Sequence, residues 1–271
     1  MYADDSKILS TDPISLQDDL CRVSNWTRDW KMELNIGKCK VMHFGKKNPN
    51  HDYYLIDHIT NTPIILNKST VERDLGILIS SDLKSTKQAA FAASKGFKIL
   101  GLMKRTFVSR DLQLWKTIYI TYIRPHIEFA ISAWSPHLQK DIETLERVQK
   151  CATKVPFVTR TLPYSDRLKA FNITSLKDRR IRGDLIQKYK LLSGLETINW
   201  TVQPTIHEDR PRRRGCHVRE LVKNCNERYH FFNNRIVSHW NALPDHVVRA
   251  INVVSFKVLL DRHNSLLHNS Q

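Results

Sequence analysis

Residues 82–105 read Asp82-Leu83-Lys84-Ser85-Thr86-Lys87-Gln88-Ala89-Ala90-Phe91-Ala92-Ala93-Ser94-Lys95-Gly96-Phe97-Lys98-Ile99-Leu100-Gly101-Leu102-Met103-Lys104-Arg105, and the chain changes texture within them. Before Asp82 the apolar residues come in short β-branched and aromatic runs, punctuated by Asn, Pro and Gly. After it they recur at three- and four-residue steps. From Ser85 to Lys104, Ala90, Ala93, Phe97 and Leu100 trace one helical face, with Lys87, Lys95, Lys98, Lys104 and Arg105 elsewhere on the surface. The expected fold class is α+β: a small β-bearing segment followed by a mainly helical remainder.

Upstream, Pro13 and Ser15, with Asp18 three residues on, mark a helix start, with Ser15 as the expected N-cap. Leu16, Leu20, Val23, Trp26 and Trp30 follow at helical steps, so residues 15–30 are expected to form an amphipathic helix. Gly37 marks a turn and residues 41–44 a short strand, before Asn48-Pro49-Asn50 interrupts. Residues 53–56, 64–66 and 75–79 are three further strand candidates, the first two forming a hairpin across 58–62.

Downstream, a second helix is expected over 110–123, ending near Pro125 because a residue before proline avoids helical geometry. A short helix follows over 126–133, then one over 141–154 with Ile142, Leu145, Val148 and Ala152 inward. Residues 175–193 give another, with Gly194 where a helix C-terminus favours glycine. Trp115, Tyr119, Tyr122, Trp134 and Trp240 are read as packing residues. Residues 199–215 lack periodicity, and Arg210-Pro211-Arg212-Arg213-Arg214-Gly215 reads as an exposed linker. Two last helices are expected over 230–241 and 254–267. The expected division is 1–82, 83–198 and 199–271.

The net charge of +16 is unevenly spread. Residues 1–83 hold 10 Lys/Arg against 12 Asp/Glu, whereas 84–182 hold 20 against 7. A mildly acidic start joined to a strongly basic middle suits a surface that tracks a phosphate backbone. The plainer reading is a basic protein whose charges face water. No apolar run approaches transmembrane length and the N-terminus is not a basic-apolar leader, so no membrane partner is expected. Five scattered cysteines read as reduced thiols of an intracellular protein, nuclear or cytoplasmic and not secreted.

Two adjacent carboxylates, Asp4 and Asp5, follow Tyr2-Ala3, and such a pair at a tight strand turn suits hard divalent cations that clamp phosphoryl transfer. Asp18-Asp19, inside a helix start, needs no role beyond complementing the helix dipole. Cys216, Cys225, His230 and His239 are nine, five and nine residues apart, a poor match to zinc-ligand spacing. No glycine-rich phosphate loop or nucleophile elbow is present.

The ordered series Tyr2-Ala3-Asp4-Asp5, then residues 34–45 (LNIGKCKVMHFG), then residues 74–80 (DLGILIS) resembles the reverse transcriptases of non-LTR retrotransposons, of the jockey type. The resemblance continues through Tyr122-Ile123-Arg124-Pro125-His126, Trp134-Ser135-Pro136, residues 145–149 (LERVQ), residues 232–237 (FNNRIV), Trp240-Asn241-Ala242-Leu243-Pro244 and Ser255-Phe256-Lys257. It implies RNA-directed DNA synthesis on an RNA template and DNA primer. Asp4 and Asp5 would be the Mg²⁺ ligands, Tyr2 would lie against the primer end and Lys38 beside the incoming triphosphate. Residues 1–82 would be part of the palm, with a hairpin holding the primer, and 83–198 the thumb that grips the duplex. Lys87, Lys95, Lys98, Lys104, Arg105, Arg179, Arg180, Arg212, Arg213 and Arg214 are the expected phosphate contacts. The family's fingers and its upstream catalytic aspartate have no counterpart in the sequence, so the expectation is a polymerase fragment inactive alone. The alternative is a basic helical nucleic-acid-binding module without catalysis.

Overall fold

The computed structural model describes residues 6–32, 34–45, 47–57, 59–200, 204–206 and 216–269, with side chains to 265. These residues are mixed α+β, with helices dominant and strands short. They divide into two compact units, one up to Lys84 and one from Ser85.

In the first unit, helix α1 (Pro13–Asp29) begins one turn earlier than Ser15 suggests. Asp12 is the cap: its carboxylate accepts from the Ser15 amide at 2.8 Å, and Pro13 occupies the first turn, where a missing N–H costs nothing. The inward face is also rotated from the expected one. Leu16 and Leu20 pack on the small core, Ser24 and Thr27 are buried, and Trp26 and Trp30 lie exposed beside each other. The expected strand at 41–44 shrinks to β1 (Lys40–Val41). Strands β2 (Tyr54–Asp57) and β3 (Thr62–Ile65) form the expected antiparallel hairpin, with Tyr54 opposite Ile65 and Asp57 opposite Thr62. Strand β4 (Asn67–Lys68) pairs in parallel with β1.

A second hairpin differs from the sequence reading, which saw one strand over 75–79. Strand β5 (Val71–Asp74) pairs with β6 (Ile77–Ser80), and the two residues between them, Leu75 and Gly76, both have positive φ, 46° and 87°. That is the left-handed turn whose twist matches a tight hairpin, and Gly76 makes it accessible. Tyr53, Leu55 and Leu66 form the core of this unit. Gln17 on α1 closes it by donating to the Tyr54 carbonyl at 3.0 Å and accepting the Tyr54 amide at 3.1 Å.

The second unit opens with α2 (Thr86–Thr106). Its buried seam is Ala89, Ala92, Ala93, Gly96 and Leu100, while Ala90 and Phe97 are exposed, so the face is turned relative to the expected one. The seam is built for close approach. A Cβ on Gly96 would stand 2.8 Å from Ile127 and 2.9 Å from Val148. Arg110 closes the end of α2, donating from Nη2 to the Lys104 carbonyl at 3.1 Å.

Helix α3 (Leu112–Ile118) runs into a π-helical turn over Tyr119–Ile123, and α4 (Arg124–Glu128) continues from it. Pro125 therefore does not end the helix as expected. The Arg124 amide already bonds five residues back to Tyr119, and Pro125 sits in the first turn of the new helical register. The expected helix over 126–133 is likewise divided. Ala130, at φ 48°, separates α4 from α5 (Ile131–Trp134).

Helix α6 (Gln139–Ala152) buries the expected Leu145, Val148 and Ala152, leaves Ile142 half-buried, and adds Gln149, which is fully buried. Gln149 accepts from the Tyr119 hydroxyl and donates to the Thr174 carbonyl at 3.0 Å and to the Tyr164 hydroxyl at 2.9 Å. Helix α7 (Tyr164–Phe171), not anticipated from the sequence, carries Tyr164, whose hydroxyl also donates to Glu146. The Glu146 carboxylate in turn accepts the first amide of α8 (Leu176–Leu192), from Leu176 at 3.2 Å. Burial and that carboxylate push the Tyr164 hydroxyl far up its range, so it stays protonated and donating. Helix α8 ends as expected at Gly194. Its φ of 68° lets the Leu195 amide reach the Lys190 carbonyl at 3.0 Å and its own amide reach Leu191 at 3.3 Å.

The chain closes with α9 (Asn226–Tyr229), α10 (Phe232–Arg235), α11 (Val237–Asn241), α12 (Asp245–Val248) and α13 (Val253–Asn269). They share a core with α8: Leu185 and Tyr189 pack with Ile236, Trp240, Val247, Phe256 and Leu260. Tyr189 stacks on Phe256 with centroids 4.4 Å apart and donates its hydroxyl to the Ala250 carbonyl at 2.6 Å. No helix among the described residues is long and apolar enough to cross a membrane.

Candidate nucleic-acid interface

Helix α2 separates its charges from its packing face. At 100° per residue, Lys87, Lys98 and Arg105 fall within about 20° of one line, opposite the Ala-Gly seam, and all three are exposed. Eighteen residues of helix carry that line over roughly 27 Å. Lys104 is exposed on a flank, and Lys95, half-buried, holds its ammonium 4.7 Å from the Phe91 ring. Among the described residues none of Lys87, Lys98, Lys104 or Arg105 has a carboxylate partner.

Helix α6 adds a line that the sequence reading passed over. Lys140, Arg147 and Lys154 follow at seven-residue steps and are exposed, with Lys154 just past the helix end. The signal was legible as a spacing, but the apolar positions of the same helix drew the reading. Lys150, also exposed, lies 5.4 Å from the Tyr164 ring.

The α8 cations are placed differently. Arg179 donates to Glu128 from Nε at 2.6 Å and Nη2 at 3.0 Å, and Arg124 approaches the same carboxylate at 3.6 Å. Burial, then the charge of Arg179, pulls the Arg124 guanidinium below its ordinary range. Arg182 makes a second fork with Asp261 on α13, at 2.6 and 2.8 Å. Both arginines thus tie helices together. Arg180 is buried at 6% exposure, and burial pulls its guanidinium down as well.

Arg180 lines a cavity of about 240 Å³ at the junction of α8 with the closing helices. Lys177 and Asp184 line it from α8, His137 from the segment after α5, and His230, Arg235 and His239 from the C-terminal part. The His137 and His230 rings stack at 4.4 Å, 6° from parallel. Burial first, and then neighbouring positive charge, hold His230 below the ordinary histidine range. His239 is also held low, first by burial. The sequence singles out Lys177, Arg179 and Arg180 as possible phosphate contacts and weighs His230 and His239 only as zinc ligands, while His137 carries no local signal. The histidines arrive from positions far along the chain.

Lys38 is exposed at the end of a 3₁₀ turn over Ile36–Lys38, whose cap is the Asn35 side chain bonded to the Lys38 amide at 3.2 Å. Tyr2, Asp4 and Asp5, and Arg212, Arg213 and Arg214, lie outside the described residues. The residues expected to hold Mg²⁺, Asp4 and Asp5, are thus outside what the structure describes. Among the described residues, no three His, Cys, Asp or Glu side chains gather into a cation site. In comparisons with protein-family models, curated proteins and solved structures, the chain matches none.

Proposed function

We propose that the chain is part of an RNA-directed DNA polymerase of the non-LTR retrotransposon kind, and that its helical unit holds a template–primer duplex by the phosphate backbone. The ordered motifs from Tyr2 to Ser80 support the polymerase reading. In it the β2–β3 hairpin is the element that steadies the primer, and the helices from α2 onward are the thumb.

The observation that carries the binding half is the use of charge. The arginines at 124, 179, 182 and 235 are spent on ion pairs within the fold. Among the described residues, the cations aligned on α2 and α6 have no carboxylate partner. Aligned cations without carboxylate partners release counterions when they meet phosphates, and they carry no sequence preference.

Primer extension tests the polymerase half. Joined behind the upstream part of a related element, the chain should support extension with Mg²⁺ and nucleotides, and Asp4→Ala should abolish it. Duplex binding with no extension in any such fusion would leave only the non-catalytic binding module.

A further inference from the structure

Arg180 is a largely enclosed residue whose guanidinium lines the cavity. Among the described residues its guanidinium has no hydrogen bond and no ion pair, although the residue is 6% exposed. Four carboxylates act on it through space, those of Glu146, Glu128, Asp184 and Asp178. Each is already engaged elsewhere. Glu146 accepts the Leu176 amide and the Tyr164 hydroxyl. Glu128 is forked by Arg179, Asp184 by Arg235, and Asp178 accepts from the Ser175 hydroxyl at 2.6 Å. The guanidinium is partly desolvated, but its nitrogens are not among the sealed polar atoms without partners, so they open onto the cavity, where water or a ligand completes their hydrogen bonds.

The cavity supplies what such a ligand needs. Lys177 stands exposed beside Arg180, one turn earlier on the same helix. Imidazoles of His137, His230 and His239 add N–H donors from two other segments. The single lining carboxylate, Asp184, is neutralised by Arg235 at 2.8 and 2.9 Å. Donors converging from three segments of the chain suit a tetrahedral oxyanion better than a planar carboxylate, which offers only two oxygens. The Leu176 and Asp178 amides at the start of α8 are already taken, by Glu146 and by the Ser175 hydroxyl.

We propose that this cavity is a phosphate-binding site, with Arg180 as its central ligand and Lys177 and the histidines completing the shell. It rests on the proposed function only for what bears the phosphate: a nucleic-acid backbone, or a free phosphate that the site holds independently.

Inorganic phosphate is the first probe, measured by calorimetry and by melting temperature against sodium chloride of equal ionic strength. Phosphate should bind and raise the melting temperature beyond the chloride control. R180Q should weaken binding by about tenfold or more, the worth of a charge-assisted hydrogen bond. Should R180Q not fold, K177Q and H230Q, at the cavity mouth, carry the same test with smaller losses. A phosphate effect no larger than that of chloride, or one unchanged in every variant, overturns the site. The second arm is duplex affinity. A weaker and less salt-dependent R180Q complex assigns the phosphate to nucleic acid. Unchanged duplex affinity with lost phosphate binding keeps the site and assigns it to free phosphate.

Discussion

Arg235 and Asp184 are joined by two parallel hydrogen bonds, Nε to one carboxylate oxygen at 2.8 Å and Nη2 to the other at 2.9 Å. Nη2 also reaches the Ser132 carbonyl at 2.6 Å, so one side chain links α10, α8 and α5. The side chains are 16% and 7% exposed, which makes this the most enclosed ion pair among those described. Removing one partner strands the other charge in a poorly solvated place. Arg235→Leu should cost about 3 kcal/mol or more. Arg235→Lys should recover only part of that, because an ammonium cannot make the fork. Urea unfolding at pH 7 measures both. Equal stability of wild type and Arg235→Leu would mean that the pair carries no tie.

Gly96 and Gly101 lie on the same helix and should respond to alanine with opposite signs. Helix propensity alone favours alanine by roughly 1 kcal/mol at each. At Gly96 the new methyl would meet Ile127 at 2.8 Å and Val148 at 2.9 Å, and overpacking of this sort costs about 1–3 kcal/mol. At Gly101 the nearest atom is the mobile end of Arg105 at 3.8 Å. Gly96→Ala should therefore lower the melting temperature and Gly101→Ala should raise it.

His217 should make stability depend on pH. Among the described residues its Nδ1 is buried without a partner, and its ring meets Trp240 edge-on at 6.3 Å. Burial first, and then the charge of buried Lys188, holds its pKa at about 4 against an ordinary 6.5. The unfolded chain thus takes up a proton that the folded chain refuses. This contribution is complete above pH 6.5, declines as pH falls, and is gone below about 4. Against a common background of titrating carboxylates, His217→Phe should lose less stability than wild type between those two pH values. Denaturant midpoints across that range decide it, and parallel curves would contradict it.

What could be read from the sequence follows the physical nature of each signal. The ends of α8 and the β2–β3 hairpin were legible because local chemistry sets them: Ser175, Gly194, and two short β-branched and aromatic runs flanking a polar turn. The inward face of α2 was misjudged because hydrophobicity ranks Phe97 above Gly96, whereas close helix packing selects the residue with no side chain. Trp26 and Trp30 misled because hydrophobicity ranks them above Ser24 and Thr27, which are the residues α1 buries. Val71-Glu72-Arg73-Asp74 has no strand-like composition, and its pairing is imposed by the Leu75-Gly76 turn. Pro125 reads as a stop only if the helix before it stays α-helical, and the π turn at Tyr119–Ile123 removes that condition. In the candidate interface the exposed cations of α2 were legible as charge. The division of α8 into paired Arg179 and enclosed Arg180 depends on Glu128 and on residues more than forty positions away, which no local pattern carries.

The central claim is that the aligned cations of the helical unit hold nucleic acid by its phosphates. Its most direct test is the affinity for an RNA–DNA duplex across a series of salt concentrations, for wild type and for the triple variant Lys87→Gln, Lys98→Gln, Arg105→Gln. Wild-type affinity should fall steeply and linearly on logarithmic axes. The triple variant should bind more weakly, with a slope shallower by up to about three, close to one for each phosphate contact removed. Affinity that does not fall as salt rises, or a slope the triple variant leaves unchanged, would contradict the account.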